Sequence, residues 1–171
     1  SMARSLGQRT LIPRLLVWTG LVYLGRGDTE RAKRYFDEAW TLSGAGVQGD
    51  SSMDVTAAIP AHTGLASYYV AMGDYERAIQ IGEAGLALAD RTGYVVWVIH
   101  RLLPMVTEAA LWMQDLERAQ RYGERLRRES TMLGHRLGLA WADACDALIA
   151  MLRKDGPRAV ELLRKSADDL D

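Results

Sequence analysis

One short pattern constrains this chain more than any other feature. Met72-Gly73-Asp74-Tyr75-Glu76-Arg77-Ala78-Ile79 closes one helix on a glycine, turns, and opens another on an aspartate. Close copies stand on both sides, at Arg26-Gly27-Asp28-Thr29-Glu30-Arg31-Ala32 and Met113-Gln114-Asp115-Leu116-Glu117-Arg118-Ala119. A weaker copy follows at Arg153-Lys154-Asp155-Gly156-Pro157-Arg158-Ala159. A turn written four times predicts four antiparallel helical hairpins, each too small to bury its apolar face alone. The alanines Ala32, Ala78, Ala119 and Ala159 set the register, 46, 41 and 40 residues apart. A small residue there lets the two helices of a hairpin approach closely. The aspartate before each second helix is a good N-cap, since its carboxylate accepts orphan N–H groups at the positive helix end.

The rest of the chain fits around these turns. The first helix of repeat 1 is expected from about Thr10 to Arg26, with Pro13 in its first turn. The second, about Asp28 to Ser43, puts Ala32, Tyr35, Phe36, Ala39 and Trp40 on one apolar stripe. Gly44 and Gly46 then stop it, and residues 45–52 form the one loose loop. Repeat 2 pairs Asp54–Met72, bent or started late by Pro60, with Asp74–Arg91 and a stop at Gly93. Repeat 3 pairs Tyr94–Met113, kinked at Pro104, with Asp115–Leu133 and a stop at Gly134. Repeat 4 pairs His135–Arg153 with Asp155–Leu170. No sustained period-two run predicts a strand. The expected organisation is a lead or cloning scar over residues 1–7, then a single repeat domain over 8–171. Its repeats span about 8–46, 52–93, 94–134 and 135–171. Gly7 stands where a preceding repeat would close, and Asp171 falls short of the next closing glycine, so a longer array is expected. Its cut end would leave some of Val160, Leu162, Leu163 and Ala167 uncovered, which invites a homodimer through the array ends.

Composition narrows the function classes. A net charge of −1 gives no overall pull toward nucleic acid or anionic membrane. The single cysteine, Cys145, rules out an internal disulfide and suits a reducing cytoplasm. No apolar run reaches about 18 residues, and the first residues lack a signal-peptide core. Arg outnumbers Lys 18 to 3 and Asn is absent, a bias of genome or growth temperature rather than of a site.

The pattern resembles tetratricopeptide repeats, whose signature pairs Gly-x2-Tyr with Ala-x3-Phe-x2-Ala. Gly20, Tyr23, Ala32, Phe36 and Ala39 carry it in repeat 1, and Ala66, Tyr69, Ala78, Gly82 and Gly85 in repeat 2. Repeat 3 departs further, with Thr107, Ala110, Ala119, Gly123 and Leu126, and repeat 4 keeps Ala147, Ala150, Ala159 and Leu163. The closing proline of the family is missing, and the spacing exceeds its usual length of about 34. Long repeats of this kind are similar to those of bacterial LuxR-type or SARP-type transcription activators and cyclase-linked signalling proteins. The resemblance implies an all-α, right-handed superhelical array in a cytoplasmic bacterial regulator, acting in transcription or signalling without catalysis or cofactor.

The resemblance also implies that the first helices line a concave groove. Its residues would include Arg14, Val17, Leu21 and Leu24 from repeat 1, and Thr63, Ser67 and Val70 from repeat 2. Repeat 3 would add Arg101, Glu108, Leu111 and Trp112, and repeat 4 Trp141, Ala144, Leu148 and Met151. An apolar groove with a few orienting charges suits a protein or peptide segment, including another domain of the same parent chain. Packing between repeats is the competing explanation for each of these residues. Two other functions stay open: a small-molecule effector sensor, and nucleic-acid binding through the arginine stripe Arg118, Arg121, Arg125 and Arg128. Glu117, Glu124 and Glu129 are interleaved with that stripe, which favours helix ion pairs on a solvated face. His62, His100 and His135 share no metal-ligand spacing with Cys145 or with one another. Paired catalytic carboxylates and phosphate-cradling glycine loops are both missing, so no enzyme is expected.

Overall fold

The computed structural model describes the backbone over residues 2–45 and 53–168, and side chains from residue 11 onward. Eight α-helices account for most of the described residues, among which there is no strand. They are α1 (Met2–Gly25), α2 (Thr29–Ser43), α3 (Val55–Ala71), α4 (Tyr75–Thr92), α5 (Leu103–Trp112), α6 (Leu116–Leu133), α7 (Arg136–Leu152) and α8 (Gly156–Asp168). A π-helical turn, Val98–Leu102, leads into α5. Among the described residues, no helix is long and apolar enough to cross a membrane.

The repeated turn is the same object each time. The aspartate N–H donates to a carbonyl five residues back at Tyr23, Tyr69, Ala110 and Ala150, at 2.9–3.0 Å. Its side chain accepts the N–H three residues on, at Arg31, Arg77, Arg118 and Arg158, at 3.0–3.3 Å. The residue before it is left-handed in all four: Gly27 (φ 80°), Gly73 (77°), Gln114 (58°) and Lys154 (63°). The turn therefore persists where the glycine does not, because backbone bonds and the cap hold it. The arginine three residues after each aspartate has a further use in the first two copies. Arg31 lies over the Tyr23 ring at 5.5 Å and Arg77 over Tyr69 at 4.4 Å. Where Ala110 and Ala150 replace those tyrosines, Arg118 pairs with Asp115 and Arg158 with Glu161.

The chain divides into two compact units, residues 1–94 and 95–171, each holding two hairpins. In the first, α3 packs against α1, α2 and α4. Its core is Phe36, which fills the space beside Gly20 of α1 and Gly64 of α3; a Cβ on Gly64 would stand 2.6 Å from the ring. Ala32, Ala39 and Val17 are buried with it. In the second unit, α7 packs against α5, α6 and α8. Asp143 of α7 is buried and ties three helices, bonding Arg127 of α6 at 2.7 Å and Lys165 of α8 at 3.0 Å.

Several element boundaries differ from expectation. α1 begins at Met2 rather than near Thr10. Pro13 consequently sits in the helix interior, and nothing before it is a strong enough breaker to end the helix. α3 starts at Val55 behind its Asp54 cap and runs through Pro60 without a late start. The first helix of repeat 3 starts after Tyr94, with residues 94 and 95 non-helical. Pro104 has no N–H to give the carbonyl of His100, and the preceding segment takes up the mismatch as a π-turn in which Leu103 N–H bonds Val98. Gly44 closes α2 in the left-handed region, while Gly46 and most of the expected loop lie outside the described residues.

Candidate functional site

α7 carries an unusual surface. Leu137, Trp141, Leu148 and Met151 are all exposed, with half-exposed Ala144 between them. Spacings of four, three, four and three residues place them on one stripe of the helix, over about 21 Å at 1.5 Å per residue. The opposite side of the same helix is buried through Ala140, Ala142, Asp143, Ala147 and Ile149. A helix whose outer stripe is as apolar as its core stripe is unexpected in water.

α5, packed beside α7, adds its own outer residues. Trp112 is 63% exposed, and its indole N–H donates to Glu108 Oε1 at 3.4 Å, one turn back. Arg101 is exposed on the π-turn at the far end of the same segment. The unit thus presents two exposed tryptophans, on neighbouring helices, with one basic and one acidic side chain. Large rigid aromatics of this kind are the usual anchors of binding energy.

The expected groove residues are placed unevenly. Arg101, Glu108, Trp112, Trp141 and Leu148 are exposed within the second unit. Leu111 is buried there. In the first unit Arg14 and Ser67 are half-buried, and the Ser67 hydroxyl donates to the Thr63 carbonyl at 2.9 Å. Thr63 is 0% exposed and its hydroxyl donates to Ile59, so it is a core residue and not a groove residue. Val17 is likewise buried. Both corrections have one cause: at these two positions the helix faces its neighbours, the competing explanation that sequence alone left open. On α8, Val160, Leu163 and Ala167 are exposed and Leu162 is buried.

Three of the four arginines of the α6 stripe pair with carboxylates of the same helix or its cap. Arg118 pairs with Asp115 at 3.2 Å, Arg121 with Glu117 at 4.0 Å, and Arg125 with Glu129 at 2.6 Å. Those carboxylates cancel most of the field that a phosphate backbone would need. Cys145 is buried, and burial, with smaller contributions from Asp146 and Glu108, pushes its thiol up to about 12. No group of three or more metal-ligating side chains occurs among the described residues.

One pairing was not legible in the sequence. His100 of the π-turn and His135, the N-cap of α7, bring their Nε2 atoms to 2.5 Å. They are 35 residues apart, and the π-turn shifts the angular register that a regular helix would give. Pro104, four residues after His100, was the available signal.

The chain matches no protein-family model and no curated protein at significant similarity.

Proposed function

We propose that this chain is a non-catalytic interaction module, a tetratricopeptide-like array of right-handed superhelical type serving a bacterial regulator. Its working surface is the outer face of α5 and α7, which holds a partner segment by apolar anchors. The observation that carries this reading is the exposed stripe Leu137, Trp141, Leu148 and Met151, lying on the helix next to Trp112. Apolar groups in that number are costly on a surface that only meets water, at roughly 25 cal/mol for each Å² that burial would remove. Arg101 gives one end of the face a group able to hold a carboxylate, and Glu108 gives it an acceptor for a basic group. The partner is accordingly an extended or helical segment with apolar side chains and at least one acidic group.

The test uses peptides selected from a random display library on the whole chain. Binders should be enriched in spaced apolar residues with an acidic residue. They should lose affinity when Trp112 or Trp141 becomes alanine. Binders that are polyanionic, and that fail steeply as salt rises, would point to nucleic acid and overturn the proposal.

A further inference from the structure

We infer that His100 and His135 form a proton-operated latch, in which the ring-to-ring bond to the π-turn before α5 and the cap that starts α7 hold together only while both rings are neutral.

The bonding pattern leaves one arrangement of protons. His135 caps α7 by accepting the Gly138 N–H on Nδ1 at 2.9 Å, so that nitrogen carries no hydrogen. Its proton is therefore on Nε2, which faces Nε2 of His100. His100 must accept there, and so holds its own proton on Nδ1. Each ring has one donor and one acceptor, and the two tautomers are complementary. A second proton has no place in this pattern. On His135 it occupies Nδ1 and removes the acceptor for Gly138. On His100 it puts two N–H groups face to face. Either event breaks one of the two bonds, the cap that starts α7 in the first case and the ring-to-ring bond that joins the segments in the second.

The surroundings sharpen the effect. Ile99 of the π-turn and Ser130 of α6 fill the space that any side chain at Gly138 would need, so the cap is held in a tight junction. His100 is pushed below the ordinary histidine range by burial first, then by His135 and by Arg101 beside it. Of the carboxylates on the packed elements, Glu129 of α6 is paired with Arg125 at 2.6 Å, and Glu108 of α5 accepts the Trp112 indole N–H while keeping its charge. Arg136, next in sequence to His135, adds positive charge. The same pattern argues against a shared metal ion. A metal on Nε2 of His135 would require a proton on Nδ1, where the Gly138 N–H already points.

The sign follows from the depressed value of His100. Above about pH 7 the contribution of His100 is fully present. As pH falls through 6.5 the unfolded chain takes up protons before the folded one, so stability declines toward the lowered folded value. The effect on partner binding rests on the function proposed above, because Arg101 and Trp141 lie on the latched segments. The latch itself is read without any partner.

The test is nitrogen and amide NMR on the whole chain between pH 8 and pH 5. At pH 8 the ring nitrogens should report opposite tautomers, Nε2–H for His135 and Nδ1–H for His100. Across that fall in pH the Gly138 amide should lose protection from exchange by about tenfold or more, corrected for its intrinsic rate. His135→Asn keeps a side-chain oxygen to cap Gly138 but removes the proton site. In that variant protection should stay constant over the same range. His100→Gln should remove the ring-to-ring coupling while His135 continues to cap. Like tautomers at pH 8, or an unchanged loss of protection in His135→Asn, would overturn the latch.

Discussion

Asp143 has no exposed side-chain surface, yet its carboxylate receives Arg127 Nη2 at 2.7 Å from the neighbouring helix. A buried carboxylate is tolerable only while it is paired, and Arg127 is the nearer of its two cationic partners. Arg127→Ala should therefore destabilise the second unit by about 3 kcal/mol, because the charge stays behind with only the exposed Lys165 to answer it. Asp143→Asn should cost less, since it removes the buried charge and leaves Arg127 bound to Asp146 at 2.7 Å. Urea unfolding of the two variants measures the order. An Asn variant less stable than the Ala variant would contradict the burial argument.

Two buried glycines should respond oppositely to a methyl group. At Gly64 the added Cβ would meet the Phe36 ring at 2.6 Å, in a core with no room to give. Gly64→Ala should cost about 1–3 kcal/mol by overpacking. At Gly123, inside α6, the nearest atoms are Asp146 Oδ1 at 3.7 Å and Cys145 Cβ at 3.9 Å, which is ordinary contact. Gly123→Ala should gain about 0.5–1 kcal/mol from helix propensity. Thermal unfolding of both variants checks the opposite signs.

The third and fourth turns hold non-glycine residues where the first two hold glycine. Gln114 (φ 58°) and Lys154 (φ 63°) occupy the left-handed region that side chains resist. Gln114→Gly and Lys154→Gly should each stabilise by up to about 1 kcal/mol, although glycine also loosens the unfolded chain. Denaturant midpoints that fall instead would show that these side chains make contacts outweighing the backbone strain.

Cys145 should be chemically silent in the folded chain. Burial, helped by Asp146 and Glu108, lifts its thiol from an ordinary 9.0 to about 12, so almost no thiolate exists at pH 8. A thiol-labelling reagent should react at the rate of unfolding and not at the rate of a free thiol. The raised value also means that the unfolded chain ionises first as pH climbs. Stability is full below 9.0 and declines between there and 12. Fast labelling at pH 8 would show an opening beside Thr107 and Glu108 that the packing denies.

The helical composition and the four turns were legible because each signal is local. Asp28, Asp74, Asp115 and Asp155 cap within three residues of themselves, so the pattern survives any tertiary arrangement. Side-chain exposure was legible on α5 and α7, where Arg101, Glu108, Trp112, Trp141 and Leu148 face outward. It was misread at Thr63 and Val17, because which face of a helix is buried depends on neighbours far away in sequence. The His100–His135 pair was hidden for a related reason. Its geometry needs the π-turn that Pro104 brings about, and a 3.6-residue periodicity does not anticipate one.

The outer face of α5 and α7 is the central claim, and calorimetry on a display-selected peptide tests it most directly. Trp141→Ala should weaken binding by about 2 kcal/mol or more, close to thirtyfold, without changing the unfolding midpoint. Arg101→Ala should weaken it less, with a penalty that shrinks as salt screens the exposed pair. Arg121→Ala, at an exposed and ion-paired position of α6, should leave affinity unchanged. If Arg121→Ala abolishes binding while Trp141→Ala binds as the parent chain does, the proposed face is wrong.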